Sequence, residues 1–454
     1  EAVWSALLKT YPQKDVCRNP PCGRGKHMHT EFADFAQEMS RVQGAVVVTR
    51  PDLVQNSDAL TPANHLDFVK TLQSYFAIFK ESLLSGLLEH DLRDVHELHK
   101  VTNFLEAVRD GNDRAGKYLS PYYAIPEVEV PQPASRGYEG VPTVVALPDV
   151  HINSLGYVWN EKDYVITKAC KTEKFGIKVE RRLPVRADSY DKVFVLTQHW
   201  GDAYFHFVAE CLPRLMLMID VLLEHPDIKI AAHAPPAHIA KGRNYMHEYL
   251  ELLGIQKERI IFVGKYIHAK LAFLPESTAC GQPNTVMVNM LRSRLLLGMY
   301  PLRGGVPRPV PRPVILVIVR ESKRELGNND QVCEALRKRF PTYDVVEFEG
   351  QGPILQQLQK FATASLIVAP HGAGLSNIMV SPLHTPVLEI GPSGCSICYM
   401  HLAVKLQHIY GRHLGESQWN GSCDRSYKPN VDEIVKLASD LLEAKQLADA
   451  ADPP

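Results

Sequence analysis

The sequence predicts an α/β protein: two sheet-and-helix units in tandem behind an N-terminal helical extension. Three observations predict it. From about residue 120 onward, short β-branched runs alternate with amphipathic stretches, the pattern of largely parallel sheets. That alternation is interrupted by PLRGGVPRPVPRP (301–313), where proline lacks an amide donor and fixes its own φ, so that neither a helix nor a central strand persists. At 454 residues, moreover, the chain exceeds the roughly 250–300 at which a single core stops growing.

The expected organisation is an extension over 1–120, a first α/β unit over 121–300, a linker at 301–313 and a second unit over 314–454. In the extension, EFADFAQEMSRV (31–42) and the long segment 65–108 repeat apolar residues at three and four, as helices packed on the body would; GAVVVTRP (44–51) is the strand signal there. In the first unit TVVALPD (143–149), KVFVLT (192–197), IKIAAH (228–233), RIIFVG (259–264) and LAFLPE (271–276) read as strands, with helices at 202–223 and 241–254. The proline-rich interruption reads as a linker, with a docking motif for a partner domain as the competing reading. Beyond it come strand VILVIV (314–319), helix 330–339, strand DVVEFEG (344–350), helix 353–364, strand SLIVAP (365–370), a Gly-rich turn, helix 374–380, strand TPVLEI (385–390) and a last helix, 431–447. This is the order of a doubly wound nucleotide-binding unit.

Composition narrows the function. With 45% hydrophobic and 22% charged residues and a net charge of −1, the chain has no global attraction for nucleic acid or anionic lipid, and a nucleic-acid partner is not expected. The richest apolar stretch, LMLMIDVLLE (215–224), is broken by Asp220 and falls short of the roughly 18–20 apolar residues of a membrane span. The nine cysteines (17, 22, 170, 211, 280, 333, 395, 398, 423) are too dispersed for a zinc site of two matched CxxC pairs; Cys395 and Cys398 form a lone CxxC. A secretory reading allows up to four disulfides, Cys17 with Cys22 being the easiest pair, while Cys211 and Cys333 lie in apolar helical patterns where a buried thiol and a bridge are both open. Asn420-Gly421-Ser422 is a glycosylation acceptor pattern that fits the same compartment.

Two constellations carry chemistry. The first is Gly201-Asp202-Ala203-Tyr204-Phe205-His206-Phe207-Val208-Ala209-Glu210-Cys211-Leu212-Pro213-Arg214. On an α-helix, positions 202, 206, 210 and 213 span about 80° of one face, aligning Asp202, His206 and Glu210 so that they shift one another's proton affinity, as a general base requires. Asp202 could equally cap that helix. The second is Pro370-His371-Gly372-Ala373-Gly374 between a buried-type strand and a helix: glycines let the backbone approach a ligand, and free amides at the helix start suit a pyrophosphate. A tight turn with no ligand is the bland alternative, since no full GxGxxG follows. Arg320 ends the first strand of the same unit, with Lys323, Arg324, Asn328 and Asn329 close behind, where an open α/β sheet binds ligands. Glu389, at the end of VLEI, could accept ribose hydroxyls or pair an arginine. There is no Asp-x-Asp, HExxH, GxSxG or P-loop, and His27-Met28-His29 is the one close histidine pair, so no metal site is expected.

QHWGDAYFHFVAECLPRL (198–215), the Arg320/Arg324/Asn328 cluster and APHGAGLSNIMVSPLHTPVLEI (369–390) together resemble glycosyltransferase family 61 over about residues 140–410. The family includes N-glycan β-1,2-xylosyltransferases, xylan-decorating transferases and protein O-linked N-acetylglucosaminyltransferases. The resemblance implies a GT-B architecture, two Rossmann-like domains with a deep interdomain cleft, and inverting transfer without an obligatory metal. It implies that Arg320, His371, Gly372 and Gly374 hold the UDP, where Arg324, Asn328, Ala373 and Glu389 are expected to join them, and that Asp202, His206 and Glu210 face the acceptor, Glu210 or Asp202 being the base. Phe207 stands where many relatives carry Trp.

The expectation is therefore a UDP-sugar-dependent transferase of the Golgi or endoplasmic reticulum lumen, with an anchor or signal lying outside these residues. The expected reaction is transfer of xylose from UDP-xylose in β-1,2 linkage to an N-glycan or glycoprotein, a pentosyltransferase with no obligatory cofactor. Rival readings are a UDP-N-acetylglucosamine-dependent protein O-transferase, a nucleotide-sugar epimerase and a non-catalytic glycan-binding protein.

Overall fold

The computed structural model describes residues 46–48, 144–159, 164–165, 187–234, 244–275, 277–278, 280–391, 395–413 and 423–451. The expected helices at 31–42 and 65–108, Cys17, Cys22, Cys170, the His27/His29 pair and the Asn420 glycosylation pattern lie outside them. The described residues from 144 to 294, with 46–48, form one compact unit, and those from 295 to 451 form another.

The N-terminal unit holds strands β1 (Val46–Val48), β2 (Val144–Asn153), β3 (Val158–Trp159), β4 (Tyr164–Val165), β5 (Ser189–Val195), β6 (Lys229–Ala232), β7 (Ile260–Phe262) and β8 (Tyr266–Pro275). They join in the order β4-β3-β2-β8-β5-β6-β7, with β1 against β2. The β8-β5-β6-β7 half is parallel, as the alternation predicts. The other half is antiparallel, built on the long β2–β8 pair that runs from Val144 opposite Pro275 to Asn153 opposite Tyr266. A strand's own two-residue period carries no direction when its connections are long, so this arm is not legible in the pattern. Val150, Ile152, Val193, Val195, Ala231, Ala269, Ala272 and Leu274 form the core beneath one face.

The helix expected over 202–223 is four helical pieces with a break before the last. Tyr204–His206 (α1) is α-helical, Phe207–Cys211 widens into a π turn, and Leu212–Leu217 tightens into a 3-10 turn. Met218, at φ −138°, then separates these from Ile219–Glu224 (α2). Pro213 accounts for the switch: its missing amide and its ring exclude the continuing α-helical bond. Tyr245–Leu252 (α3) begins at Asn244, whose side chain caps the amides of Met246 and His247. Thr285–Met299 (α4) is not announced by the pattern; Met287, Val288, Leu291, Leu295 and Met299 form its buried stripe, but the 44%-exposed Leu297 and its neighbour Leu296 blur the period.

The C-terminal unit is a five-stranded sheet of β9 (Val314–Ile318), β10 (Asp344–Phe348), β11 (Ala364–Pro370), β12 (Pro386–Ile390) and β13 (Ile409–His413). Every neighbouring pair is parallel and the order is β10-β9-β11-β12-β13. Numbered within the unit this is 2-1-3-4-5, a doubly wound order whose direction of winding reverses between β9 and β11. Helices α5 (Asn329–Arg339) and α8 (Val431–Ala451) cover the face formed by Ile315, Val317, Leu366, Val368, Leu388 and Ile390. The alternate residues, among them Leu316, Ile367 and Glu389, point to the other face, with α6 (Ile354–Phe361), the 373–380 turn and α7 (Cys398–Lys405). The helix expected at 374–380 is a 3-10 helix, Ala373–Val380. Strand β13 escapes the pattern because Gly411, Arg412 and His413 interrupt its apolar run, yet all five residues are buried.

One buried cation ties the N-terminal sheet to the segment after it. Arg214 is fully buried; its guanidinium donates to the carbonyls of Val195 (3.3 Å), Leu196 and Thr197 (both 3.5 Å) at the end of β5, and of Pro275 (3.0 Å) at the end of β8. Burial pulls its pKa down to about 10, the carbonyls taking over from water. Replacing it by methionine strands those carbonyls without a donor, and urea unfolding of Arg214→Met should show a loss of about 3–5 kcal/mol. A loss below about 1 kcal/mol would show that the strand ends find other donors.

Candidate functional site

In the N-terminal unit the π turn brings two of the three expected residues together. His206 Nδ1 lies 2.8 Å from Glu210 Oε2. Glu210 is fully buried and both its oxygens are engaged: Oε2 also accepts from the Gln198 side-chain amide at 2.9 Å, and Oε1 from the Gly281 amide at 2.6 Å. Gln198 in turn accepts from Arg214 at 3.3 Å. The chain Arg214–Gln198–Glu210–His206 thus runs from the sheet to an imidazole whose side chain is 18% exposed, and it fixes the ring's orientation.

Asp202 does not join them. It precedes the helix, its backbone carbonyl accepts from Tyr245 Oη at 2.6 Å, and its charge acts on His199 and His233. Nor does it cap the helix, whose N-cap is Ala203, without a side-chain cap bond. The single-face alignment assumed 100° per residue from 202 onward, and regular α-helix spans only Tyr204–His206. Beside His206 stands Trp200, 40% exposed, its ring centroid 5.5 Å from that of His206 and 4.9 Å from that of His199. Its φ of +60° is a left-handed conformation that a bulky residue adopts at a cost of about 1–3 kcal/mol. Gly201 follows because a Cβ there would come within 2.7 Å of the His233 ring. Phe207 is 2% exposed against Tyr245 and Tyr249, so the departure from Trp at this position is a matter of packing rather than ligand contact.

In the C-terminal unit, the residues singled out gather at the carboxyl ends of β9 and β11, where the winding reverses and an open sheet leaves a crevice. Arg320 follows β9 and its side chain crosses Gly372: a Cβ at Gly372 would lie 2.0 Å from Arg320 Nη1. Gly372 is thus required for this close approach. Gly374 sits over Ile318, its would-be Cβ 3.3 Å from Cγ2. Burial, and then Arg324, lower the pKa of Arg320, as for a cation partly withdrawn from water. His371 Nδ1 is 2.5 Å from Glu389 Oε1, and Tyr399 packs edge-on to its ring at 5.0 Å.

Glu389 is not placed to accept ribose hydroxyls. It is fully buried, Tyr410 Oη donates to Oε2 at 2.5 Å and Arg412 lies 3.7 Å from Oε1, so it belongs behind His371 and not at a ligand. Asn328 is likewise structural, its amide donating to the Pro429 carbonyl at 3.0 Å. Arg324 and Lys323 face Asp424, at 4.0 and 3.0 Å. Gln198 and Arg214 lie within the N-terminal motif without a role legible there, and Tyr410 and Arg412 lie outside both motifs; the available signal was a polar residue inside an apolar run, as for Arg214 in LPRLML.

Cys395 is bridged to Cys423, not to its CxxC partner Cys398, and Cys211, Cys333 and Cys398 are buried and outside any disulfide. Cys280 is disulfide-bonded. Two groups place three ligand-type atoms within 4.8 Å of one another, His206/Glu210/Cys280 and His371/Cys395/Cys423. In both, the sulfur is held in a disulfide and is a poor metal ligand as it stands. Among the described residues no helix is long and apolar enough to cross a membrane.

Residues 204–388 match the family model described as Glycosyltransferase 61, a span that takes in the Arg320 cluster, the N-terminal motif from Tyr204 onward and the C-terminal motif as far as Leu388. The resemblance to family 61 is borne out there, and the reading of the chain as a glycosyltransferase stands on it. No curated protein matches the chain. Among solved structures, the dodecameric iron-containing heptosyltransferase TibC in complex with ADP-D-beta-D-heptose is similar at 10% identity, covering 68% of this chain and 94% of that one, with a TM-score of 0.27. The TibC glycosyltransferase from enterotoxigenic E. coli H10407 gives 11%, 68%, 94% and 0.27. These are distant likenesses, and nothing about this chain's ligand follows from them.

The buried carboxylate of the C-terminal site has a consequence for acid stability. Burial alone would raise the pKa of Glu389, but Arg412, His371 and Tyr410 together hold it below the ordinary 4.5. A depressed folded-state pKa means that the unfolded chain binds the proton more tightly, so this contribution is present above about pH 4.5 and lost as pH falls through the folded value. Thermal melts from pH 7 to pH 3 should therefore converge for wild type and Glu389→Gln at the acid end, with wild type the more stable at neutral pH. Parallel curves would mean that the charge of Glu389 contributes nothing.

Proposed function

We propose that this chain is an inverting UDP-sugar transferase of GT-B architecture that moves xylose from UDP-xylose, in β-1,2 linkage, onto an N-glycan in the secretory lumen. The observation that carries the reading is that each unit presents a histidine oriented by a buried glutamate: His206 on Glu210, and His371 on Glu389 beside Arg320. The disulfides at Cys395–Cys423 and Cys280 support an oxidising compartment.

In this mechanism the base is His206, because both oxygens of Glu210 are already engaged away from solvent. With Nδ1 held by Glu210, Nε2 lies on the far side of the ring. It takes the proton as the acceptor hydroxyl attacks the anomeric carbon, and Glu210 stabilises the imidazolium that forms. The bond to the UDP oxygen breaks on the opposite face, which inverts the anomeric centre. Arg320 and His371 meet the charge developing on the departing diphosphate, with Arg324 and the backbone at Gly372, Ala373 and Gly374 close by. Trp200, exposed and strained beside His206, offers a flat apolar face against which an acceptor sugar ring stacks. Bound this way, donor and acceptor need no metal. The second reading, N-acetylglucosamine onto protein Ser or Thr, uses the same groups and differs in donor and acceptor alone.

The test is incubation with a panel of UDP-sugars, trimmed N-glycans and Ser/Thr peptides in EDTA, read by mass spectrometry. A pentose increment on the glycan is expected; a hexosamine increment on a peptide would replace this reading by the second, and no transfer from any donor, with or without added manganese, would refute both. His206→Ala should lower kcat by about 10²–10⁴-fold with donor KM little changed. Trp200→Ala should instead raise the acceptor KM; an unchanged acceptor KM would remove Trp200 from the site.

A further inference from the structure

We propose that reduction of the Cys395–Cys423 disulfide creates a zinc site whose ligands are His371, Cys395 and Cys423. The ligand atoms of these three residues already lie within 4.8 Å of one another. Tetrahedral zinc, with bonds of about 2.3 Å to sulfur and 2.0–2.1 Å to nitrogen, sets its ligand atoms roughly 3.5–3.8 Å apart, so modest adjustment suffices. Gly391 lets the elements meet: a Cβ there would lie 3.1 Å from His371 Cβ and 3.8 Å from Cys395 Sγ.

A second, independent feature is the bond from His371 Nδ1 to the buried Glu389. Zinc-bound histidines commonly donate their other ring nitrogen to a carboxylate, which fixes the tautomer and strengthens the ligand. Glu389 occupies that position on Nδ1, and coordination is assigned to Nε2. Two thiolates and an imidazole are a donor set that zinc favours, with the fourth position open to water. The corresponding group around Cys280 is a poorer host, because its one sulfur is accompanied by Glu210, whose oxygens are bonded to Gly281, Gln198 and His206.

The chemistry balances with a dithiol as reductant. Two electrons and two protons pass from the dithiol to the Cys395–Cys423 bond, the reductant becoming a disulfide, and zinc then displaces the two thiol protons as it binds. With Nδ1 on Glu389, metal on Nε2 occupies the ring nitrogen left to His371 for meeting the departing diphosphate, so the zinc form is inactive in transfer. That consequence rests on the donor reading above; the metal site does not.

The test uses the full chain, oxidised or reduced with dithiothreitol and freed of it anaerobically, titrated with Co²⁺ as a spectroscopic stand-in. Reduced protein should take up about one equivalent with a thiolate-to-cobalt charge-transfer band and tetrahedral d–d bands, reversed by Zn²⁺; oxidised protein should show neither. Cys398→Ser should bind as wild type, and Glu389→Gln should bind about 10–100-fold more weakly. Cys423→Ser removes the disulfide and can fail to fold, whereas His371→Ala keeps it through purification; the latter should bind at least about tenfold more weakly. No band in the reduced wild type, or an undiminished band in His371→Ala, overturns the site. A chain that binds cobalt as expected but transfers from no donor refutes the donor reading and leaves the metal site standing.

Discussion

The guanidinium of Arg214 is the constraint on which the N-terminal site rests. A sheet ends in carbonyls with no strand partner, and leaving them buried and unbonded costs about as much as each lost hydrogen bond. Here one cation collects them from β5 and β8 and holds the Gln198 amide in the same step. Gln198 then donates to Glu210, and Glu210 holds His206. The orientation of a partly exposed imidazole is thereby set by a network rooted in the core, where side chains have little freedom to repack.

The C-terminal unit solves a similar problem with the charges exchanged. Its buried group is an anion, Glu389, held by Tyr410 and Arg412 from the neighbouring strand β13, and its product is again an oriented histidine. The polar residues of β13 that spoil its strand pattern are thus the ones that make Glu389 tolerable at full burial. In both units a glycine marks a close approach and not an unusual turn: Gly201 admits the His233 ring and Gly372 admits Arg320. The left-handed backbone at the two sites lies instead at Trp200 and at Arg324 (φ +67°), bulky residues whose shape gains nothing from it.

The disulfide between Cys395 and Cys423 links this polar centre to the loop that carries Asp424, the partner of Lys323 and Arg324. Electrostatics at the switch point therefore depends on a covalent bond that joins residues 28 apart in sequence. Burial of Cys395 beside His371 makes the redox state of that bond a local matter for the site, and not a general measure of stability alone.

Much of the fold was legible in the sequence. Strands β5 to β12 were marked by β-branched runs, because burial on both faces demands continuous apolar residues, and the glycine-rich turn after SLIVAP marked where the C-terminal sheet would open. The gathering of Arg320, His371 and Gly372 followed from strand-end position, and the pairing of His206 with Glu210 from their four-residue spacing. The antiparallel arm, the π and 3-10 turns after His206, the exclusion of Asp202 and the retreat of Glu389 and Asn328 into structural roles were decided by tertiary structure. The physical reason is common to these: periodicity and motif report which local conformation a segment prefers and which chemistry it carries, whereas strand direction, burial and hydrogen-bond partners depend on residues distant in sequence. Glu389 shows this most plainly. Its position at a strand end was readable from VLEI, but only Tyr410, Arg412 and His371, brought to it by the sheet, decided that its carboxylate would serve another side chain and not a ligand.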